Sequence, residues 1–405
     1  MKKTKVIENF LSLAILKGFD FIVPLITFPY LVRVIGLEKF GLISFASALS
    51  VYFGSLIQYG FGITAARDVA RSRDNINDLN KVYSRTFSTS IVFSLFALVT
   101  FTLIVCAVGR FNQHLFLYEA SIVSVIVQSV FPVWLFQGVE QMRFITHLNL
   151  IAKAIFLGGL FLLIREESDY FLVPVLYAVS SALSLISAWW IVKNRIGVSF
   201  SFSSTRVIKK VIVEGRHAFV TQFAPSLYNN TSIFLLGFFG SPSTLGSYSA
   251  AIKVIDAAMS LGTILSNVFL PHLSRNLEDH PVYMKIMMIS GLMLTLGIAI
   301  FSDAISSILF SGNSDEISTY MRILSLWIIF IFIRNATGAN YLMLVGREHI
   351  YKNIVLYTSV TSAVVGVYLI QKYQAYGAIS VVVGSSFIMA VLTYWYYVQA
   401  LDNKR

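Results

Sequence analysis

Lys17 and Asp20 stand three residues apart in the first long apolar run of this 405-residue chain, and Lys253 and Asp256 repeat the spacing in a later one. Positions i and i+3 share a helix face. Each pair therefore either neutralises itself as a local ion pair or presents charge to the interior of a helix bundle. Arg334 lies near the middle of another apolar run. Ionisable groups at membrane depth cost at least about 2.5 kcal/mol and face a cavity or a partner. A compact ammonium or a two-pronged guanidinium suits phosphate or carboxylate, so Lys17, Lys253 and Arg334 are the candidates for anion contacts. Asp20 and Asp256 are the candidates for groups that a coupling proton or sodium ion discharges. Glu119 and Asp303 fall near the outer ends of their runs, where water reaches them at small cost. The six histidines show no metal-ligand spacing, and the lone Cys106 lies within an apolar run, so neither a metal site nor a disulfide is expected. There is no Gly-x-x-x-x-Gly-Lys-Ser/Thr loop to cradle a nucleotide. No cofactor is expected, and energy must come from ion gradients.

The elements that position these groups follow from composition. The chain is 56% hydrophobic and 13% charged, with a mean hydropathy of +0.73, whereas a soluble domain has a charged fraction near 25%. Apolar runs of about 20 residues, enough to cross a bilayer as helix, recur at 10–32, 40–63, 84–108, 115–137, 148–164, 171–192, 217–239, 247–271, 286–310, 320–344, 353–370 and 378–400. The expected fold is an all-α integral membrane protein with about twelve transmembrane helices in two six-helix lobes around a central cavity. The lysine-rich start resembles a secretory signal, but its apolar run continues to Val32 without a small-residue cleavage site, and reads as a first transmembrane helix. Lys and Arg concentrate on one side of this topology, from Lys2, Lys3 and Lys5 through Lys209, Lys210 and Arg216 to Lys404 and Arg405. By the positive-inside rule that side is cytoplasmic, with both termini on it. The net charge of +11 is then topology, and no nucleic-acid partner is expected.

The longest cytoplasmic loop divides the chain into lobes at 1–192 and 217–405, joined by a basic linker at 193–216. Phe40-Gly41-Leu42-Ile43-Ser44-Phe45-Ala46 opens the second run, and Leu245-Gly246-Ser247-Tyr248-Ser249-Ala250-Ala251 opens the eighth. Gly138-Val139-Glu140 and Gly346-Arg347-Glu348 likewise occupy equivalent loops. Such echoes are the mark of a transporter built from two repeats around one cleft. Pro24 and Pro29 interrupt the first run and Pro225 the equivalent seventh; each removes a backbone hydrogen bond and makes a hinge candidate. Asn229, Asn230 and Asn335 match glycosylation patterns but lie inside spans, so they read as polar cavity lining or interhelical contacts.

The stretches PYLVRVIGLEKFG (29–41), QYGFGITAARDVA (58–70), FPVWLFQGVEQMRFIT (131–146), SLYNNTSIFLLGFF (226–239), LGSYSAAIKV (245–254) and FLPHLSR (269–275) resemble, in order, the Wzx-type O-antigen and polysaccharide flippases of the multidrug/oligosaccharidyl-lipid/polysaccharide exporter superfamily. The resemblance implies a non-enzymatic, twelve-helix transporter of a bacterial inner membrane. Its cargo would be an undecaprenyl-diphosphate-linked oligosaccharide moved from the cytoplasmic to the periplasmic leaflet, with a polysaccharide polymerase and a chain-length regulator as partners. Cationic residues in the first and eighth helices of such flippases carry over to Lys17 and Lys253, while Tyr228, Asn229 and Asn230 become candidates for sugar contact. The alternatives are a multidrug cation antiporter of the same superfamily, which needs an acidic cavity, and a membrane polymerase or acyltransferase, which the short outer loops disfavour.

Overall fold

The computed structural model describes the backbone of residues 3–310 and 314–402, and the side chains of these except 3–22, 224–229, 314 and 402. It is all-helical. The helices are α1 (Lys3–Gln58), α2 (Thr64–Ser72), α3 (Ile76–Ala107), α4 (Gly109–Asn112), α5 (Leu115–Val130), α6 (Val133–Gly138), α7 (Met142–Leu163), α8 (Leu172–Ile191), α9 (Thr205–Phe239), α10 (Pro242–Leu273), α11 (His280–Leu309), α12 (Ser314–Arg334) and α13 (Glu348–Asp402). Among the described residues, nine helical stretches are long and apolar enough to cross a membrane. Two of them are interrupted by a residue at positive φ: α1 at Gly36 (φ 76°) and α13 at Gln374 (φ 53°). The apolar runs of the sequence divide each stretch in two, 10–32 and 40–63, and 353–370 and 378–400, and the positive-φ residue falls in the gap between them.

Local chemistry sets several ends. Asn75 caps α3 by accepting from the Asn77 amide, and Ser241 caps α10 by accepting from the Thr244 amide at 3.1 Å, with Pro242 at the first helical position. Arg33 donates to the carbonyls of Ile308 and Leu309 at the C-terminus of α11, where a cation meets the negative end of the helix dipole. On α13, exposed Tyr368, Tyr373 and Tyr376 flank one end of its second half, and exposed Tyr394 and Trp395 the other. From Tyr376 to Trp395 is about 28 Å of helix, close to the hydrocarbon thickness that aromatic belts bracket.

The chain forms two compact units: one takes in the chain up to Val23 together with Phe45–Asn229, the other Pro24–Ser44 and the chain from Asn230 onward. Two helices, α1 and α9, are thus each shared between units. In the first unit, the segment 193–216 begins as a π-helical turn (Val192–Ile196), runs extended, and enters α9 at Thr205. The extended stretch is strapped to α3. Amides of Ser199, Ser201 and Ser203 donate to Asn80, Ser84 and Ser88 at 2.9, 3.0 and 3.0 Å. Two residues of extended chain advance about 6.6 Å and four residues of helix about 6 Å, so every second amide meets every fourth side chain. In the second unit, α10, α11, α12 and α13 pack on one another. Its π-helical segment Asn335–Leu342 continues α12.

Candidate functional site

Lys253 and Asp256 both project from α10, Lys253 about 16 Å along the axis from Pro242. Both are half-buried. Helical spacing permits an ion pair between them, yet neither makes a salt bridge with the other or with any further described residue. The Lys253 ammonium instead lies over the Phe28 ring, 5.0 Å from its centroid, an arrangement in which the ring face offsets charge without neutralising it. Phe28 comes from the Pro24–Ser44 portion of α1, which belongs to the same unit. Its ring also meets Phe40 edge-on at 5.7 Å. Pro24 and Pro29 lie in this portion, and Pro24 is the residue at which α1 passes from one unit to the other.

Arg334 ends α12, half-buried, with its Nη1 3.5 Å from the Met389 sulfur of α13. It stands about two-thirds of the way along the span Asp315–Leu342, at the point where α-helix gives way to the π segment. The helices carrying Lys253 and Arg334 pack together. The side chains of Lys17, Asp20, Pro225, Tyr228 and Asn229 lie outside those described; Asn230 is half-buried on α9.

Asp303 forms an ion pair with Arg322 at 2.7 Å, and Glu316 accepts from Ser247 and Tyr320, both at 2.6 Å. In the first unit, Asp68 accepts from Arg85 at 2.5 Å and from Arg67 at 3.3 Å. Arg73 reaches Glu140 at 2.7 Å, and that bond holds the guanidinium further above its ordinary range. Each of these carboxylates is engaged by a cation or by hydroxyls.

Two features escaped sequence reasoning. Gly41 and Gly246, the equivalent glycines of the two similar openings, face each other's helices. A Cβ on Gly41 would lie 1.9 Å from the Pro242 carbonyl oxygen, and one on Gly246 2.0 Å from that of Leu37. The similarity of the two openings was visible in sequence; their contact was not. The second is a buried polar cluster around His280, for which no sequence signal existed.

A family model described as "Polysaccharide biosynthesis protein" matches residues 6–277. The chain belongs to that family. A putative O-antigen transporter of Escherichia coli K12 is 26% identical over 270 residues, 67% of this chain and 65% of that protein. One from Shigella dysenteriae is 24% identical over 388 residues, covering 92% of this chain and 95% of its own. In fold, the chain is similar to the lipid II flippase MurJ in an inward closed conformation, with a TM-score of 0.77 at 12% identity, covering 96% of this chain and 87% of MurJ. An inward-facing MATE family multidrug transporter gives a TM-score of 0.63 at 14% identity, over 94% of this chain and 98% of its own. Membership agrees with the resemblance to Wzx-type flippases drawn from the sequence motifs.

Proposed function

We propose that this protein is a flippase that carries an undecaprenyl-diphosphate-linked oligosaccharide, such as an O-antigen repeat unit, across a bacterial inner membrane by alternating access. The names of its relatives, transporters and flippases of glycans, support that reading and favour a transporter over an enzyme. The observation that carries it is Lys253, an ammonium within a membrane-spanning helix, offset by an aromatic face and not closed into an ion pair with Asp256. Such a charge is available to a diphosphate. Arg334 on the packed neighbouring helix, and Lys17 on α1, are the further proposed contacts for that anion. Tyr228, Asn229 and Asn230 would then face the sugars.

Asp20 and Asp256 are the proposed coupling sites for a proton or sodium ion. Pro24, Pro29 and Pro225 are the proposed hinges, and the passage of α1 between units at Pro24, and of α9 just beyond Pro225, supports that role. Both termini would lie in the cytoplasm, and a polymerase and a chain-length regulator would receive the delivered glycan. A second reading, a multidrug cation antiporter, draws on Asp256, a carboxylate with no described salt-bridge partner, and on the fold shared with MATE transporters.

Translocation of a lipid-linked repeat unit into the outer leaflet of liposomes tests the proposal, comparing wild type with Lys17→Ala, Lys253→Ala and Arg334→Ala at matched protein levels. Stalling of the lipid on the loading side in the variants is expected. A wild-type protein that moves no such lipid but extrudes cationic dyes would overturn the flippase reading in favour of the antiporter.

A further inference from the structure

His280 opens α11 and is 1% exposed. Its Nε2 lies 2.9 Å from the Ala336 carbonyl and its Nδ1 3.3 Å from the Tyr397 hydroxyl. A carbonyl can only accept, so Nε2 carries the hydrogen, and Nδ1 holds the lone pair that Tyr397 donates to. The rings of Tyr283, Tyr341 and Tyr397 enclose the imidazole at 5.7, 4.7 and 5.0 Å. These three phenols are the titratable groups facing it, from α11, the π segment and α13. Asp279, the adjacent carboxylate, is engaged by His272 of α10 at 2.6 Å. No carboxylate touches the imidazole among the described residues.

Ala336 belongs to the π segment Asn335–Leu342, whose looser turn is closed by the Met343 amide on the Gly338 carbonyl. A π turn holds one residue more than an α turn and is intrinsically less stable, so neighbours must brace it. The braces here are side chains. Asn340 donates to the Tyr283 hydroxyl at 2.9 Å and accepts from Ser266 at 2.9 Å, and Thr337 donates to Thr393 at 2.9 Å. His280 supplies the donor on the Ala336 carbonyl.

We propose that Nδ1 of His280 is a proton-binding site whose occupancy sets the register of the π segment and, with it, the orientation of Arg334, the residue immediately before that segment. A proton arriving on Nδ1 turns an acceptor into a donor, so the hydroxyl of Tyr397 must rotate from donating to accepting. The ring then carries a charge with no carboxylate in contact, and water must enter to solvate it. Hydration of that charge draws the imidazole away from the enclosing rings and releases the Ala336 carbonyl. Relaxation of the π turn to α rotates the helix before the segment relative to the helix after it, by about 100° for each residue absorbed. The link to cargo through Arg334 rests on the flippase reading; the proton site does not.

The test uses the full chain in lipid nanodiscs, with the proton as probe. Isotope-labelled histidine identifies the His280 resonance by its loss in His280→Gln. Amide exchange of residues 335–342 is measured against that of 316–334 at each pH, so that the chemical pH dependence of exchange cancels. In wild type the relative protection falls by about tenfold or more as the His280 resonance titrates. In His280→Gln, whose amide can still donate to Ala336 but cannot titrate in this range, it stays flat. A flat wild-type ratio, or an unchanged fall in the variant, overturns the proposal. Should His280→Gln fail to fold, Tyr397→Phe must move the midpoint of the fall, and an unmoved midpoint is equally fatal. No cargo is needed, so failure of glycan transport alone would sink the flippase reading and leave this result standing.

Discussion

Replacing Gly246 by alanine probes the place where the similar openings of the two halves meet. The added Cβ would sit 2.0 Å from the Leu37 carbonyl oxygen and 2.8 Å from the carbon that bears it. Carbon and carbonyl oxygen rest at about 3.3 Å or more, so the two backbones must separate by about 1.3 Å. The obstacle is main chain and has no rotamer to swing aside. Overpacking of this kind costs about 1–3 kcal/mol, which, if the contact exists in only one state of a transport cycle, shifts the equilibrium away from that state roughly 5–150-fold. Leu245, 1% exposed beside the contact, provides the reporter: Leu245→Cys in a Cys106→Ser background, labelled with a membrane-impermeant maleimide. Gly246→Ala should accelerate labelling within that range. Gly297→Ala is the control, because nothing lies within 4 Å of its added Cβ. Labelling unchanged by Gly246→Ala, or accelerated as much by Gly297→Ala, would refute the idea that this contact opens.

Gln374→Gly should raise the thermal midpoint, because the backbone at φ 53°, ψ −127° strains any residue with a Cβ by about 1–3 kcal/mol. What is lost is a long 3.4 Å hydrogen bond to the Phe239 carbonyl; an unchanged or lower midpoint would count against the strain. Glu140→Gly gains about 1–2 kcal/mol by relieving φ 58° and forfeits a solvent-screened surface bridge to Arg73. A small net gain in a denaturation midpoint is expected, against a small loss for Arg73→Ala. Ser84→Ala combined with Ser88→Ala removes two acceptors of the strap, worth at most about 0.5–1.5 kcal/mol each. Proteolytic cleavage between residues 196 and 205 should speed up, while cleavage elsewhere stays at the wild-type rate.

The helical membrane fold was legible because lipid imposes a single rule, about 20 apolar residues per crossing, and that rule leaves its mark in composition alone. Boundaries were less so. The run at 217–239 extends back to Thr205 because Arg206, Lys209 and Lys210 continue the helix as exposed residues beyond its apolar part, and hydropathy weighs charge, not helicity. The run at 84–108 starts at Ile76 for a similar reason: Asn75 caps a polar first turn. Of the site, the candidates at membrane depth were visible as rare charges, since Lys253, Asp256 and Arg334 interrupt otherwise apolar runs. The partner of Lys253 was not. Spacing nominated Asp256, but Phe28, more than two hundred residues away, is the side chain under the ammonium. Local spacing specifies only what a helix offers itself.

His280 makes the same point from the other direction. In sequence it is one of six scattered histidines beside a proline, at the start of a helix, where an exposed interfacial role is the default. Its burial comes from rings on two other elements, Tyr341 and Tyr397, and its hydrogen bond from a carbonyl in a turn that departs from α geometry. No periodicity announces a π segment, because Asn335–Leu342 differs from its surroundings in register and not in hydropathy. Charged residues in a membrane protein thus advertise themselves by breaking an apolar pattern, whereas a neutral polar cluster of Asn340, Ser266, Thr337 and Thr393 breaks nothing. Groups of that second kind meet only once the helices are packed, and they can hold a backbone in a conformation that no single helix would adopt alone.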